Sequence, residues 1–275
     1  MKQKKLTNPS VVIGILKKAG LRLTKGLGQH FLVDENIRRK IIEAADLDSS
    51  DVVLEVGPGI GTLSQEIAPK VKKLWLIELD ETFIPILKEN VPSDNTEIRN
   101  EDALQIDLAS LDPAPTKMVS NLPYNIAAPL IIRLLSETTI ERFVLMVQHE
   151  AATRLSAGPH SKEYGALTVK IAYFAKIKKL FDVSNQVFLP KPNVRSAVIE
   201  ITRRPGQKAD ARLFKLIGEL FAHRRKSVKK GLIIAGYNKE TVEKSLQESG
   251  IDPKKRPENL VVVDFQALDT SLAKV

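Results

Sequence analysis

Apolar positions along this chain change their rhythm twice. Over residues 9–19, Val12, Ile13, Ile15 and Leu16 gather on one side of a helix, and over 34–45 Ile37, Ile41 and Ile42 recur at three- and four-residue steps. From residue 52 the periodicity gives way to short apolar runs at 52–56, 74–77, 117–119 and 143–147, each the length of a strand buried on both faces. Helical stretches at 63–68, 81–89 and 129–136 separate them. Strands alternating with helices predict an α/β fold, a doubly wound parallel sheet covered on both sides, with residues 196–202 closing it as an edge strand. Beyond Arg203-Arg204-Pro205-Gly206 only helical patterns follow, at 212–221, 227–235, 241–248 and 259–271. Gly236 and Gly250 fall where helix C-terminal caps belong. The expected organisation is a large domain over 1–204 and a small all-helical domain over 205–275.

Charge sharpens this division. The chain of 275 residues carries a net +9, distributed as +8 over residues 1–40, −6 over 41–202 and +7 over 203–275. Two basic ends flanking an acidic middle suit a polyanionic partner, since each neutralised phosphate releases counterions. The absence of cysteine excludes disulfides, thiolate metal sites and cysteine nucleophiles. No apolar run reaches the length of a membrane span and no signal core follows the basic start, so a cytoplasmic protein is expected.

The first strand run leads directly into Gly57-Pro58-Gly59-Ile60-Gly61. Glycines at every second position let backbone turn sharply and approach a ligand closely, but the spacing is not that of a diphosphate-binding loop and no P-loop lysine follows. Glu78 ends the next strand, placed to accept both ribose hydroxyls of an adenosine. Asp102, in Glu101-Asp102-Ala103-Leu104 after a further strand, the third, between the 74–77 and 117–119 runs, is placed to accept a hydrogen bond from an adenine amine.

The fourth strand ends in Asn121-Leu122-Pro123-Tyr124. An exocyclic adenine amine is a poor nucleophile because its lone pair is delocalised into the ring. Acceptors facing both amine hydrogens, Asn121 Oδ1 and the Leu122 carbonyl, favour a more tetrahedral nitrogen whose lone pair points at an electrophilic methyl. Pro123 sets the carbonyl direction, and Tyr124 offers a stacking face for an extruded base. Asn is neutral at every relevant pH, so catalysis would rest on positioning. His149 and Glu150 suggest a metal pair but lack a third ligand, so no metal site is expected.

Taken together, Gly28-Gln29-His30-Phe31-Leu32, the loop from Glu55 to Gly61, Asn121–Tyr124 and the segment from Phe188-Leu-Pro190 to Ser196 resemble the rRNA adenine dimethyltransferases. Phe221-Ala-His-Arg-Arg-Lys226 and Arg256-Pro-Glu-Asn-Leu260 are similar to the small-subunit type, and the likeness spans about 25–265 in unbroken order. The resemblance implies a Rossmann-like class I methyltransferase fold, S-adenosyl-L-methionine as cofactor, and dimethylation of two adjacent adenosines in a 3′-terminal hairpin loop of 16S rRNA. The implied partner is the immature small ribosomal subunit, met by a monomer. His30, Leu32, Gly57, Gly59, Glu78, Asp102 and Asn121 are implied cofactor contacts, and Tyr124 and Phe188 are implied to sandwich the base. Most relatives carry Asn at the position of His30, so this histidine is expected to stay neutral or to act through its backbone. Arg224, Arg225, Lys226 and Lys229 are candidate rRNA phosphate contacts, and Lys17, Lys18, Arg22 and Lys25 a candidate clamp near the cleft. The rival readings are a large-subunit resistance methyltransferase, a non-catalytic assembly factor that keeps the fold, and a nicotinamide-dependent reductase.

Overall fold

The computed structural model describes residues 4–21, 30–92, 94–123 and 125–274. Tyr124, Arg22, Lys25 and the Gly26–Gln29 stretch lie outside the described residues. The strands in chain order are β1 (Phe31–Leu32), β2 (Val52–Val56), β3 (Lys73–Ile77), β4 (Thr96–Arg99), β5 (Lys117–Asn121), β6 (Arg142–Gln148), β7 (Ala175–Val183), β8 (Phe188–Leu189) and β9 (Ser196–Arg203). The helices are α1 (Pro9–Lys18), α2 (Glu35–Ala45), α3 (Ser64–Ile67), α4 (Ile84–Asn90), α5 (Ala127–Glu137), α6 (His149–Leu155), α7 (Ala166–Phe174), α8 (Ala211–Ala222), α9 (Val228–Ile234), α10 (Lys239–Glu248) and α11 (Val262–Leu272).

Seven strands form one sheet in the order β4-β3-β2-β5-β6-β9-β7, while β1 and β8 make a separate antiparallel pair. Strands β2 to β6 pair in parallel, so their C-terminal ends share one edge. β9 runs antiparallel to β6 and brings its first residue, Ser196, to that same edge opposite Gln148. This corrects one expectation. The strand read at 196–202 is internal, and the edge belongs to β7. All five residues of β2 are buried, as the centre of a doubly covered sheet requires.

Several helices start on a side-chain cap. Asn8 Oδ1 accepts from the Ser10 N–H at the start of α1, and Asp34 Oδ1 from the Ile37 N–H at the start of α2, both at 2.9 Å. At the C-terminal end of α5 the Arg203 guanidinium donates to the carbonyls of Ile140, Leu135 and Leu134, at 2.7, 2.9 and 3.3 Å. Burial lowers the pKa of that guanidinium.

The chain divides into two compact units, residues 1–152 with 177–203, and residues 153–176 with 204–275. The second unit therefore takes a segment from inside the first, which the single boundary expected near 204 does not anticipate. Tyr173, Phe174 and Phe214 pack edge to face within it, with ring centroids 5.1 to 5.5 Å apart. The Tyr164 hydroxyl donates to the Leu260 carbonyl at 2.9 Å.

Candidate active site

A cavity of about 570 Å³ opens at the C-terminal edge of β2 to β5, the place where open α/β sheets bind ligands. Of three glycines in left-handed conformation after β2, Gly57 and Gly59 line its floor. At Gly57 (φ +68°) a side chain would stand 3.1 Å from the Pro123 ring, so the glycine loop and the loop after β5 touch only because Cβ is absent. At Gly59 (φ +56°) the backbone N–H donates to Glu78 Oε2 at 3.0 Å. Glu78 Oε1 accepts the Asp80 N–H, also at 3.0 Å. Both oxygens are thereby oriented, and each retains a lone pair for a ligand hydroxyl. Burial pushes the Glu78 carboxyl up, while the Asp80 and Gly59 N–H groups pull it back.

Further contacts brace this floor. The Val56 N–H donates to the buried Ser120 hydroxyl at 2.9 Å, tying the ends of β2 and β5 together. Asn90 Nδ2 donates to the Ile60 carbonyl, and Gln65 Nε2 to the Asn90 carbonyl, each at 2.9 Å. Asp102 lines the same cavity and accepts the Leu104 N–H at 2.9 Å, an Asx turn that fixes its carboxylate. Arg133 holds that loop from below, donating to the carbonyls of Ala103 and Ile106 at 2.9 and 2.6 Å.

Asn121 stands at the end of β5 with its Nδ2 donating to the His30 carbonyl at 3.3 Å. The amide is planar, so Oδ1 is turned away from β1 as the acceptor. Leu122 is buried, and its N–H is used by the Met146 carbonyl at 3.0 Å. His30 lines the cavity, with Nδ1 2.8 Å from the Pro190 carbonyl. A carbonyl only accepts, so Nδ1 carries the proton and the backbone carbonyl of His30 serves Asn121.

The structure brings His30, Leu32, Gly57, Gly59, Glu78, Asp102, Asn121 and Leu122 to one cavity. It does not bring Phe188 there. That ring is 3 % exposed and sits in the hydrophobic core with Leu32, Ile41 and Val183, because pairing of β8 with β1 turns it inward. Two expected phosphate contacts have partners within the chain. Arg224 spends its guanidinium on Glu258 at 2.6 Å and on the carbonyls of Lys162 and Ser161 at 2.7 and 3.0 Å. Lys229 is paired with Glu243 at 2.6 Å. Arg225 and Lys226 are exposed. Among the described residues no group of three His, Asp or Glu is placed to hold a metal ion, and no helix is long and apolar enough to cross a membrane.

One carboxylate in the cavity was not assigned a role from the sequence. Glu55, on the central strand, is 2 % exposed and accepts the Ser64 hydroxyl at 2.6 Å. Burial pushes its carboxyl up to about 8, against the Ser64 hydrogen bond and with the help of nearby Glu78. An acid inside an otherwise apolar strand run was the available signal.

Known proteins place this architecture. A family model described as ribosomal RNA adenine dimethylase matches residues 20–274. The chain belongs to that family. It is 38 % identical over 282 residues to the ribosomal RNA small subunit methyltransferase A of Alkaliphilus metalliredigens, covering 98 % of each protein. It is 37 % identical to the protein of that name from Geobacillus kaustophilus, again covering 98 % of each. Among solved structures, a dimethyladenosine transferase from Plasmodium falciparum is similar at 26 % identity, with a TM-score of 0.76 over 86 % of this chain and 94 % of that one. As a ribosomal RNA adenine dimethylase the chain is a methyltransferase that uses S-adenosyl-L-methionine. The cavity fits that cofactor: Gly57 and Gly59 allow close backbone approach, and the carboxylates of Glu78 and Asp102 are acceptors that would suit its hydroxyls and amine.

Proposed function

We propose that this chain dimethylates the 6-amino groups of two adjacent adenosines in the 3′-terminal hairpin loop of 16S rRNA, acting as a monomer on the immature small subunit in the cytoplasm. The observation that carries the reading is Asn121, which lines the cavity that also holds the glycine loop and Glu78 and whose Nδ2 is committed to the His30 carbonyl, leaving Oδ1 as its acceptor. Glu78 orients the ribose, Asp102 the adenine, and the His30 carbonyl fixes Asn121. Asn121 Oδ1 and the Leu122 carbonyl each accept one amine hydrogen of the target base, directing its lone pair at the methyl group. S-adenosyl-L-methionine supplies that methyl as an electrophile when bound. Amine protons leave to solvent, and the site needs no general base. Tyr124 supplies the stacking face. Residues 1–152 with 177–203 are the cofactor-binding catalytic part, and the second unit engages rRNA through Arg225 and Lys226.

Labelled cofactor incubated with the protein and either immature small or large subunits tests the substrate. Label is expected in small-subunit rRNA, at paired adenosines, and label confined to large subunits overturns the reading. Asn121→Ala should lower turnover by at least about a hundredfold while leaving cofactor and RNA binding measurable. Near-normal turnover in that variant refutes the proposed geometry.

A further inference from the structure

The edge that carries the catalytic loop also carries a cationic cluster, one to three strands away from β5. His149 follows the last residue of β6, and its N–H donates to the Arg195 carbonyl at 3.0 Å. Asp182, near the end of β7, accepts from Lys179 Nζ at 3.1 and 3.4 Å and lies 3.3 Å from His149 Nε2. The Lys179 hydrogen bond, with the charges of Lys179, His149 and Arg195, holds the Asp182 carboxyl below its ordinary range. Lys178, Lys191 and Arg195 are exposed, and among residues of this stretch only Glu150 adds a second acid.

Lysines on β7 have a plain structural use, since charge on an edge strand discourages pairing with other chains. That accounts for Lys178 and Lys179. It does not account for Arg195, which lies off the edge strand, in the loop that enters internal β9. The register fixes where that loop sits. Asn121 pairs with Met146, Met146 with Val198, and Gln148 with Ser196. At about 4.8 Å per strand, Arg195 stands roughly 10 Å across the edge from the catalytic loop. The same loop begins at Pro190, whose carbonyl holds His30 in the cavity wall.

We infer that His149, Lys179 and Arg195, gathered by Asp182, form a phosphate-binding site for the RNA strand that presents the target adenosine to Asn121. An extruded base is delivered accurately only if the backbone beside it is held, and phosphate contacts give position without reading sequence. Asp182 holds His149 and Lys179 together, leaves the Arg195 guanidinium beside them, and is too little charge to neutralise all three. The inference rests on the reading above that the acceptor is RNA.

The test is fluorescence anisotropy of the full chain with a short RNA hairpin carrying adenosines in its loop, over a series of salt concentrations. Arg195→Ala and Lys179→Ala should each weaken binding on the order of threefold to tenfold and reduce the slope of log affinity against log salt by about 0.7, one single-strand phosphate each. Arg195→Lys should keep most of the slope. Lys72→Ala, an exposed lysine at the opposite edge before β3, should change neither, and calorimetry should give one cofactor dissociation constant for all four variants. An Arg195→Ala slope equal to the wild type, or an equal loss in Lys72→Ala, overturns the inference. A wild type that binds the hairpin yet methylates neither subunit refutes the substrate reading and leaves the slopes to decide this site.

Discussion

Two carboxyls of one cavity, Glu55 and Glu78, are raised by burial but do different work. Glu78 lines the cavity with both oxygens already oriented by backbone N–H groups, so in the proposed role it would meet ligand hydroxyls without reorganising. Glu78→Ala should therefore weaken cofactor binding by on the order of tenfold to a hundredfold, the equivalent of one or two charge-assisted hydrogen bonds. Calorimetry reads this directly, and Glu78→Gln should fall between. Glu55 holds a proton that the unfolded chain releases, because its folded pKa, about 8, exceeds the ordinary 4.5. Stability contributed by that proton is complete below the ordinary value, declines as pH rises between the two, and is gone above about 8. The slope is at most about 1.4 kcal/mol per pH unit. Glu55→Gln keeps an acceptor for Ser64 and removes the titration. Its melting temperature should fall less steeply than that of the wild type between about pH 5 and about pH 8, and parallel curves would show that Glu55 does not titrate there.

At the scale of elements, the two C-terminal motifs noted in the sequence turn out to be one structural joint. Arg224, from the first motif, pairs with Glu258 from the second, and Asn259 Nδ2 lies 2.8 Å from His160 Nδ1. Arg224→Ala should cost about 1–3 kcal/mol through unpaired Glu258 and the lost carbonyl contacts, seen as a lower melting temperature. Arg225→Ala and Lys226→Ala should leave melting unchanged and weaken RNA binding instead. A run of four basic or semi-basic residues in sequence does not say which of them faces inward, and only the partner helix turn decides it. The same limit governed the strands. β2, β3, β5 and β6 were legible because they are central and carry short apolar runs bounded by turns. β7 was not, since its exposed lysines break the alternation, and α7 reads ALTVKIAYF, an apolar stretch whose period distinguishes neither helix nor strand. In the site, Asn121, Glu78, Asp102 and the glycines were legible because strand ends carry them. Arg133 and Glu55 were not, because their partners, two loop carbonyls and one serine hydroxyl, are distant in sequence or shared with core packing.

For the whole molecule the decisive fact is that residues 153–176 belong with 204–275. A fragment cut after residue 204 leaves Val169, Ile171 and Phe174 without the α8 and α11 surfaces they pack among. It should bind an apolar dye and elute as aggregate on size exclusion, whereas the full chain should not; a monomeric, dye-free fragment would contradict this account. The arrangement also sets an order of events during synthesis. At about 5–20 residues per second, α7 leaves the ribosome on the order of 5–20 seconds before α11 is complete. Over that interval its apolar residues wait for partners still being made, so the second unit has to assemble last, around a piece of chain delivered first.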